Sequence, residues 1–159
     1  MIPKIIHTCY FSKSDNIPIH IKQHILHLED MYPEYAIKLW TLQECLNLCR
    51  KTGIKLEDYT NRGRVGLLYL SYMFRFCIVD SVGGFYIDPT YDKQYLNLDN
   101  YINDNYVFEI NGYNSVNCNF FGSRATTDNI KDKQNIIRQI LDNIGKIIFF
   151  ISIFTPPFI

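Results

Sequence analysis

Residues 83–92 read GGFYIDPTYD, and this stretch governs how the rest of the chain is interpreted. Two glycines precede a short apolar strand, the strand ends on Asp88, and a second acid, Asp92, follows four positions later. We expect one glycine to end a helix in a left-handed conformation and the other to let a neighbouring strand approach closely. Asp88 itself has two open interpretations, which are a ligand of a divalent cation and a solvated acid that caps the next turn.

Strands and helices alternate on both sides of this stretch. Strands are predicted at 3–11, 35–40, 85–88, 106–110, 117–122 and 147–154, and helices at 19–31, 41–53, 64–82 and 132–144. This order predicts an α/β fold with a mostly parallel sheet that helices cover on both faces. Ligands of such sheets bind beyond the carboxyl ends of the strands, where Asp88 is expected. The length fits a single domain over residues 1–159.

The composition excludes several classes of partner. The formal net charge is zero, so the chain has no basic field for nucleic acid. The apolar run 147–154 is far shorter than the roughly twenty residues of a membrane-spanning helix. The opening residues MIPKIIHTCYF lack the pattern of a secretory signal. We therefore expect a cytoplasmic protein without a membrane span.

The sequence contains two groups of side chains of metal-ligating type, which are the cysteines and three histidines, and we expect neither group to bind a metal. Cysteines stand at 9, 45, 49, 77 and 118, and their spacing is not that of a zinc site, so buried free thiols are expected. Three histidines stand at 20, 24 and 27 on a predicted helix. Their spacing allows metal ligation, but a solvated histidine face is the expected arrangement.

An arginine lies within the longest apolar segment. Arg75 comes thirteen residues before Asp88 and shares a helix face with Ser71, four positions earlier. An arginine in such surroundings needs an anionic partner. Two partners remain open, which are a protein carboxylate such as Asp80 or Asp88 and the phosphate of a ligand.

The order of these pieces resembles the glycosyltransferases with a DXD sugar-binding motif, which include fungal initiating α-mannosyltransferases and glucosylating toxins. The matching pieces are IPKIIH with an aromatic residue three positions later, YAIKLW at 35–40, the helix with Ser71 and Arg75, and GGFYID at 83–88. The resemblance runs from about residue 2 to 124 and leaves residues 146–159 as an atypical tail. It implies a C-terminally shortened GT-A fold and a retaining transfer of a hexose, assisted by Mn²⁺ or Mg²⁺. The implied donor is a UDP- or GDP-sugar, and the implied acceptor is a glycan or a protein.

The resemblance also implies roles for individual side chains. Asp88 matches the first acid of the motif, which faces the sugar and the metal, and is the predicted catalytic residue. Tyr10 stands where the family often has a tryptophan that stacks on the donor base. The other predicted donor-binding residues are His7, Ser71, Arg75 and Asn119.

The sequence departs from the family pattern at two acids. Tyr72 replaces an acid that binds donor hydroxyls, and Asp88-Pro89-Thr90 replaces Asp-x-Asp, so the second metal-binding acid is missing. Thr90 offers a neutral hydroxyl at the place of the missing acid. In one interpretation, a turn that begins at Pro89 brings Asp92 back toward Asp88 as a substitute for that acid. These departures leave a second function open, which is an inactive relative that binds a nucleotide or glycan or acts as a scaffold.

Overall fold

The computed structural model describes residues 1–11, 16–51, 63–91, 96–110 and 116–125. The elements in chain order are β1 (Ile5–Cys9), α1 (Ile19–Met31), β2 (Ala36–Trp40), α2 (Leu42–Lys51), α3 (Gly63–Val82), β3 (Gly84–Ile87), a 3-10 helix (Leu98–Tyr101), β4 (Tyr106–Ile110) and β5 (Val116–Ser123). Each predicted element within these ranges is present. The predicted helix at 132–144, the strand at 147–154 and the tail at 146–159 lie outside the described residues.

The five strands form one mixed sheet in the order β2-β1-β3-β5-β4. The chain is therefore α/β as predicted, but a mostly parallel sheet is wrong. β1 pairs in parallel with β2 and β3, whereas β5 is antiparallel to both β3 and β4. The reason is the short connection between β4 and β5, because a parallel pair needs a crossover of about a dozen residues or more.

Helices cover both faces of the sheet, as predicted. Leu28 and Met31 of α1 pack with Ile6, Phe85 and Ile87 in one apolar cluster. The other face carries a second cluster, to which α2, α3 and the strands contribute Cys45, Cys49, Phe74, Cys77, Tyr86 and Phe121. The side chains of β3 alternate between the two clusters, as those of a strand between two layers do.

The glycine pair joins α3 to β3 in the predicted manner. The Gly83 amide donates to the Val79 carbonyl at 2.9 Å, which closes the last turn of α3, and Gly83 has a φ of 73°. Gly84 has a φ of 105°, and a Cβ there would lie 2.6 Å from the Ile5 carbonyl oxygen of β1. Both positions thus require glycine for a positive φ and for a close approach.

A capping box starts α2, and the prediction of free thiols is confirmed. The hydroxyl of Thr41 and the carboxylate of Glu44 form a capping box at the start of α2, with the Thr41 amide 2.9 Å from Glu44 Oε2. The described cysteines carry free thiols, and all are buried except Cys118, which is partly buried. Among the described residues, no helix combines the length and apolar character needed to cross a membrane.

Candidate functional site

The strand order places a topological switch point at β1. This strand lies between β2 and β3, and the chain leaves it toward one neighbour and later returns to the other. Ligands of α/β sheets bind at such a point, beyond the carboxyl ends of the strands. Tyr10 directly follows β1 and Asp88 directly follows β3, so two of the predicted site residues lie at this edge.

Arg75 and Asp88 form a buried ion pair at this edge. Arg75 Nη2 lies 2.5 Å from Asp88 Oδ2, and the two side chains are only 12% and 7% exposed. Of the two partners left open by the sequence, the structure therefore gives Arg75 a protein carboxylate. Arg75 Nη1 also donates to Asn119 Oδ1 at 3.0 Å and to the Cys118 carbonyl at 3.2 Å. Asn119 on β5 is thereby joined to the pair.

Both oxygens of the Asp88 carboxylate accept hydrogen bonds. Oδ1 accepts hydrogen bonds from the Thr90 amide at 2.9 Å and from the Thr90 hydroxyl at 2.5 Å. Oδ2, which already faces Arg75, accepts a longer bond of 3.4 Å from the Tyr86 hydroxyl. The backbone amide of Asp88 donates to the Asn119 carbonyl at 2.9 Å. Asp88 therefore caps the turn that follows β3 and at the same time binds the guanidinium of α3.

Two tyrosine rings lie next to the guanidinium. The Cζ atom of Arg75 is 5.0 Å from the ring centroid of Tyr72 and 5.1 Å from that of Tyr86. Tyr72 on the same helix thus contributes a cation–π contact, worth about 0.5–2 kcal/mol. Arg75 Nε is buried and has no hydrogen-bond partner among the described residues.

His7 lies in the core and links three parts of the sheet. Its Nε2–H donates to the Gly83 carbonyl at 2.7 Å, and its Nδ1 accepts from the Trp40 indole at 3.0 Å. Burial lowers the pKa of His7 to about 4, because the ring is cut off from water. These bonds connect β2, β1 and the junction before β3, so His7 holds the switch-point strands together.

The other predicted site residues lie on neighbouring elements. Tyr10 is partly buried, its amide donates to the Trp40 carbonyl at 3.3 Å, and its ring meets that of His20 edge-on at 6.4 Å. Ser71 is a partly buried residue of α3, one turn before Arg75. Asp92 lies outside the described residues. The structure thus brings together Arg75, Asp88, Thr90 and Asn119.

The described donor groups do not fit a divalent cation of the Mn²⁺ or Mg²⁺ type. Such ions prefer about six oxygen ligands, whereas both oxygens of Asp88 are engaged by Arg75, Tyr86 and Thr90. The Thr90 hydroxyl donates its proton to Asp88. Within the described ranges, no three His, Cys, Asp or Glu side chains are grouped so that they could hold a metal ion. The metal-binding roles of Asp88, Thr90 and Asp92 stay predictions.

A cavity beside the turn that follows β3 was not predicted from the sequence. It has a volume of about 290 Å³ and lies between α1 and the residues after β3. His24 lines it and is partly buried, which contradicts the predicted solvated face at that position. The reason is that His24 precedes the buried Leu28 by four residues and so shares its helix face. The four-residue spacing between His24 and the apolar Leu28 is the sequence signal that separates His24 from His20, which is exposed.

Comparisons with known proteins add no assignment. No protein-family model matches the chain, and no curated protein matches it significantly. The argument for function therefore depends on the residues at the switch point.

Proposed function

We propose that the chain is a glycosyltransferase domain of GT-A type, which transfers a hexose from a nucleoside-diphosphate sugar to a glycan or a protein. The observation that carries this proposal is the Arg75–Asp88 pair at the carboxyl ends of the switch-point strands. Three parallel strands with helices on both faces support the GT-A assignment. Arginine is suited to phosphate, and a carboxylate is suited to sugar hydroxyls.

The proposed chemistry is electrostatic. Transfer breaks the bond between the anomeric carbon and a diphosphate oxygen and forms a bond from that carbon to an acceptor hydroxyl oxygen, whose proton leaves with the diphosphate, so negative charge grows on the departing diphosphate. Arg75 supplies a fixed positive charge at the site, with Asn119 holding Nη1 in place. Asp88 accepts hydrogen bonds from the donor sugar once it exchanges part of its contact with Arg75. Tyr10 stacks on the base, and His7 acts indirectly by fixing the strands that carry Tyr10 and Asp88.

Turnover of donor sugars tests this proposal. Release of nucleoside diphosphate from a panel of UDP- and GDP-sugars is measured with and without Mn²⁺. We compare the wild type with Asp88→Asn and with Glu34→Gln, a control at an exposed ion pair. We expect the wild type to release nucleoside diphosphate from at least one donor. The rate of release should fall about 100-fold or more in Asp88→Asn, as for the loss of one electrostatic contact in a transition state. The rate in Glu34→Gln should equal that of the wild type. A wild type that is inert toward every donor contradicts the transferase proposal.

A second function is favoured by the contacts of Asp88 themselves. Both carboxylate oxygens already accept hydrogen bonds inside the protein, and Tyr72 stands at the place of a family acid. A non-catalytic relative that binds a nucleotide or a glycan fits this arrangement. Thermal unfolding with uridine and guanosine diphosphates separates the two, because a ligand of the folded state raises the midpoint. A rise in the midpoint that is equal with and without Mn²⁺, in a protein that shows no turnover, supports this second function. If no ligand raises the midpoint, only the scaffold role remains.

A further inference from the structure

The two edges of the described sheet, β2 and β4, differ in charge. On β2, Lys38 contacts Glu44 at 2.7 Å and lies 4.6 Å from the ring centroid of Trp40. A lysine on an edge strand is a common device against the pairing of a further strand. β4 has the sequence YVFEI, which contains no lysine, arginine or proline. Of the two edges, β4 is therefore the one that accepts another strand more readily.

The outer side of β4 is uninterrupted. Among the described residues, β4 pairs with β5 alone. Phe108 of β4 faces Phe121 of β5, and the next residue, Glu109, already faces Asn117. The residues between Asn117 and Phe121 are thus an insertion in β5, and β4 itself contains none. The carboxylate of Glu109 accepts a hydrogen bond from Asn117 Nδ2 at 2.7 Å, so the one acid of β4 is held inside the sheet.

Apolar side chains of β4 offer surface on both faces of the sheet. Phe108 is partly buried against the cluster under α2 and α3, and Val107 is partly buried against the cluster under α1. Tyr106 and Ile110 are 50% and 68% exposed. A strand beside β4 extends both clusters if it carries apolar side chains on both of its faces.

Residues 147–154 have this pattern. They read IIFFISIF, so a strand of this sequence carries Ile or Phe at every position of its two faces except Ser152. Strands that are apolar on both faces are typical of positions between two covering layers. The segment therefore matches an edge at which two apolar clusters end.

The chain leaves the described fold close to β4. The described residues end at Ala125, shortly after β5, and the Arg124 amide donates to the Asn105 carbonyl, directly before β4, at 3.2 Å. Residues 126–146 span up to about 70 Å when extended, several times the roughly 17 Å of β4. The length of the connection thus allows residues 147–154 to reach this edge.

We propose that residues 147–154 bind along the outer edge of β4 in the same chain and add a further strand to the sheet. Main-chain hydrogen bonds to β4 hold the segment, as in other cases of strand addition to a sheet edge. Its apolar side chains cover Val107 on one face and Phe108 on the other. A second copy of the chain is a weaker competitor, because a tethered segment has a high effective concentration. The inference is independent of the transferase proposal, since it requires no ligand.

Amide hydrogen exchange on the whole chain tests this pairing. We compare the wild type with Ile151→Pro, which removes an amide donor and disfavours a strand, and with Ile151→Val, which keeps both features. Amides of β4 should exchange about five to ten times faster in Ile151→Pro than in the wild type, as when each loses a hydrogen bond. Amides of β1 and all amides of Ile151→Val should exchange as in the wild type. Equal exchange of β4 in the three proteins, or an increase as large in β1 as in β4, overturns the proposal.

A second pair of variants keeps the test valid if Ile151→Pro folds poorly. Ile110→Lys places a charge on the proposed docking edge, and Ile19→Lys is the matched control on α1, where Ile19 is 70% exposed. Ile110→Lys should lower the thermal midpoint of the wild type by about 3 °C or more and leave that of Ile151→Pro unchanged. Ile19→Lys should change neither midpoint. An Ile110→Lys midpoint equal to that of the wild type means that no strand covers this edge and contradicts the proposal.

Light scattering distinguishes the segment from a second copy. The proposal requires a monomer of 18.8 kDa in which the β4 amides are protected from exchange. A dimer in which they are protected, and which loses this protection on dilution to the monomer, shows that another chain supplies the added strand. That result overturns the pairing within one chain.

Discussion

The Arg75–Asp88 pair makes a strong prediction about stability. Asp88→Asn removes the charge but keeps an oxygen and most of the volume, so the Arg75 guanidinium is left buried without an anion. Since the two side chains are 12% and 7% exposed, solvent screens little of this loss. Breaking a buried pair from one side costs about 3–5 kcal/mol. We expect the lower end, because Asn119 and the Cys118 carbonyl still accept from Nη1.

Urea unfolding followed by circular dichroism at pH 7 measures this effect. For an m-value of about 2 kcal/mol/M, a loss of 3–5 kcal/mol lowers the midpoint by roughly 1.5–2.5 M. The matched control is the exposed pair of Lys4 and Glu34, where Glu34 is 72% exposed and the contact is 2.7 Å long. Glu34→Gln should leave the urea midpoint close to that of the wild type, because solvent screens an exposed pair.

A double-mutant cycle isolates the pair from the other contacts. Arg75→Met leaves Asp88 with Thr90 and Tyr86, and the double variant Arg75→Met/Asp88→Asn leaves no unpaired charge. The double variant should therefore lose less stability than the sum of the two single variants, by about 1–3 kcal/mol. Additive effects, or a cost below about 1 kcal/mol for Asp88→Asn, would refute the reasoning, because the pair would then behave as a solvated surface contact.

Two further predictions concern the strands around the switch point. The His7 pKa of about 4 lies below its value of about 6.5 in the unfolded chain, so the unfolded state binds the proton first and stability falls as the pH drops from 6.5 toward 4. This loss of unfolding free energy approaches about 3 kcal/mol. Urea titrations at pH 7 and pH 4.5 should show a smaller loss in His7→Gln than in the wild type. An equal loss in the two proteins contradicts the prediction. Gly84→Ala places a Cβ 2.6 Å from the Ile5 oxygen at a φ of 105°, and it should lower the thermal midpoint by more than about 3 °C. A midpoint equal to that of the wild type would show that the β1–β3 contact relaxes without penalty.

The elements were readable from the sequence because their signals are local. The glycine pair indicated the end of α3 and the junction before β3, and the alternation of strands and helices indicated the order of the elements. The direction of β5 was encoded in the short gap between the predicted strands 106–110 and 117–122, which is too short for a parallel crossover. Its second antiparallel pairing, with β3, has no signal within β5, because it arises from the order in which the strands pack.

The site was predicted in part for a similar reason. Helix spacing and the strand end placed Arg75 and Asp88 near one edge, and the structure brings them into contact. The sequence left their pairing open, because a ligand phosphate and a carboxylate satisfy an arginine equally well. The cavity beside His24 depends on the distance between α1 and the turn after β3, which arises from tertiary packing alone.

The contacts divide the family-like motifs into two kinds. His7, Trp40, Gly83 and Gly84 are explained by the fold, since the imidazole bonds the indole and the Gly83 carbonyl while Gly84 admits β1. Any protein that joins three parallel strands in this way benefits from these residues, whatever it binds. The Arg75–Asp88 pair is different, because replacing such a pair by apolar residues of similar volume is often neutral or stabilising. A buried charge pair that stability alone does not require, at the ligand-binding edge of the sheet, is what gives the proposed donor site its physical basis.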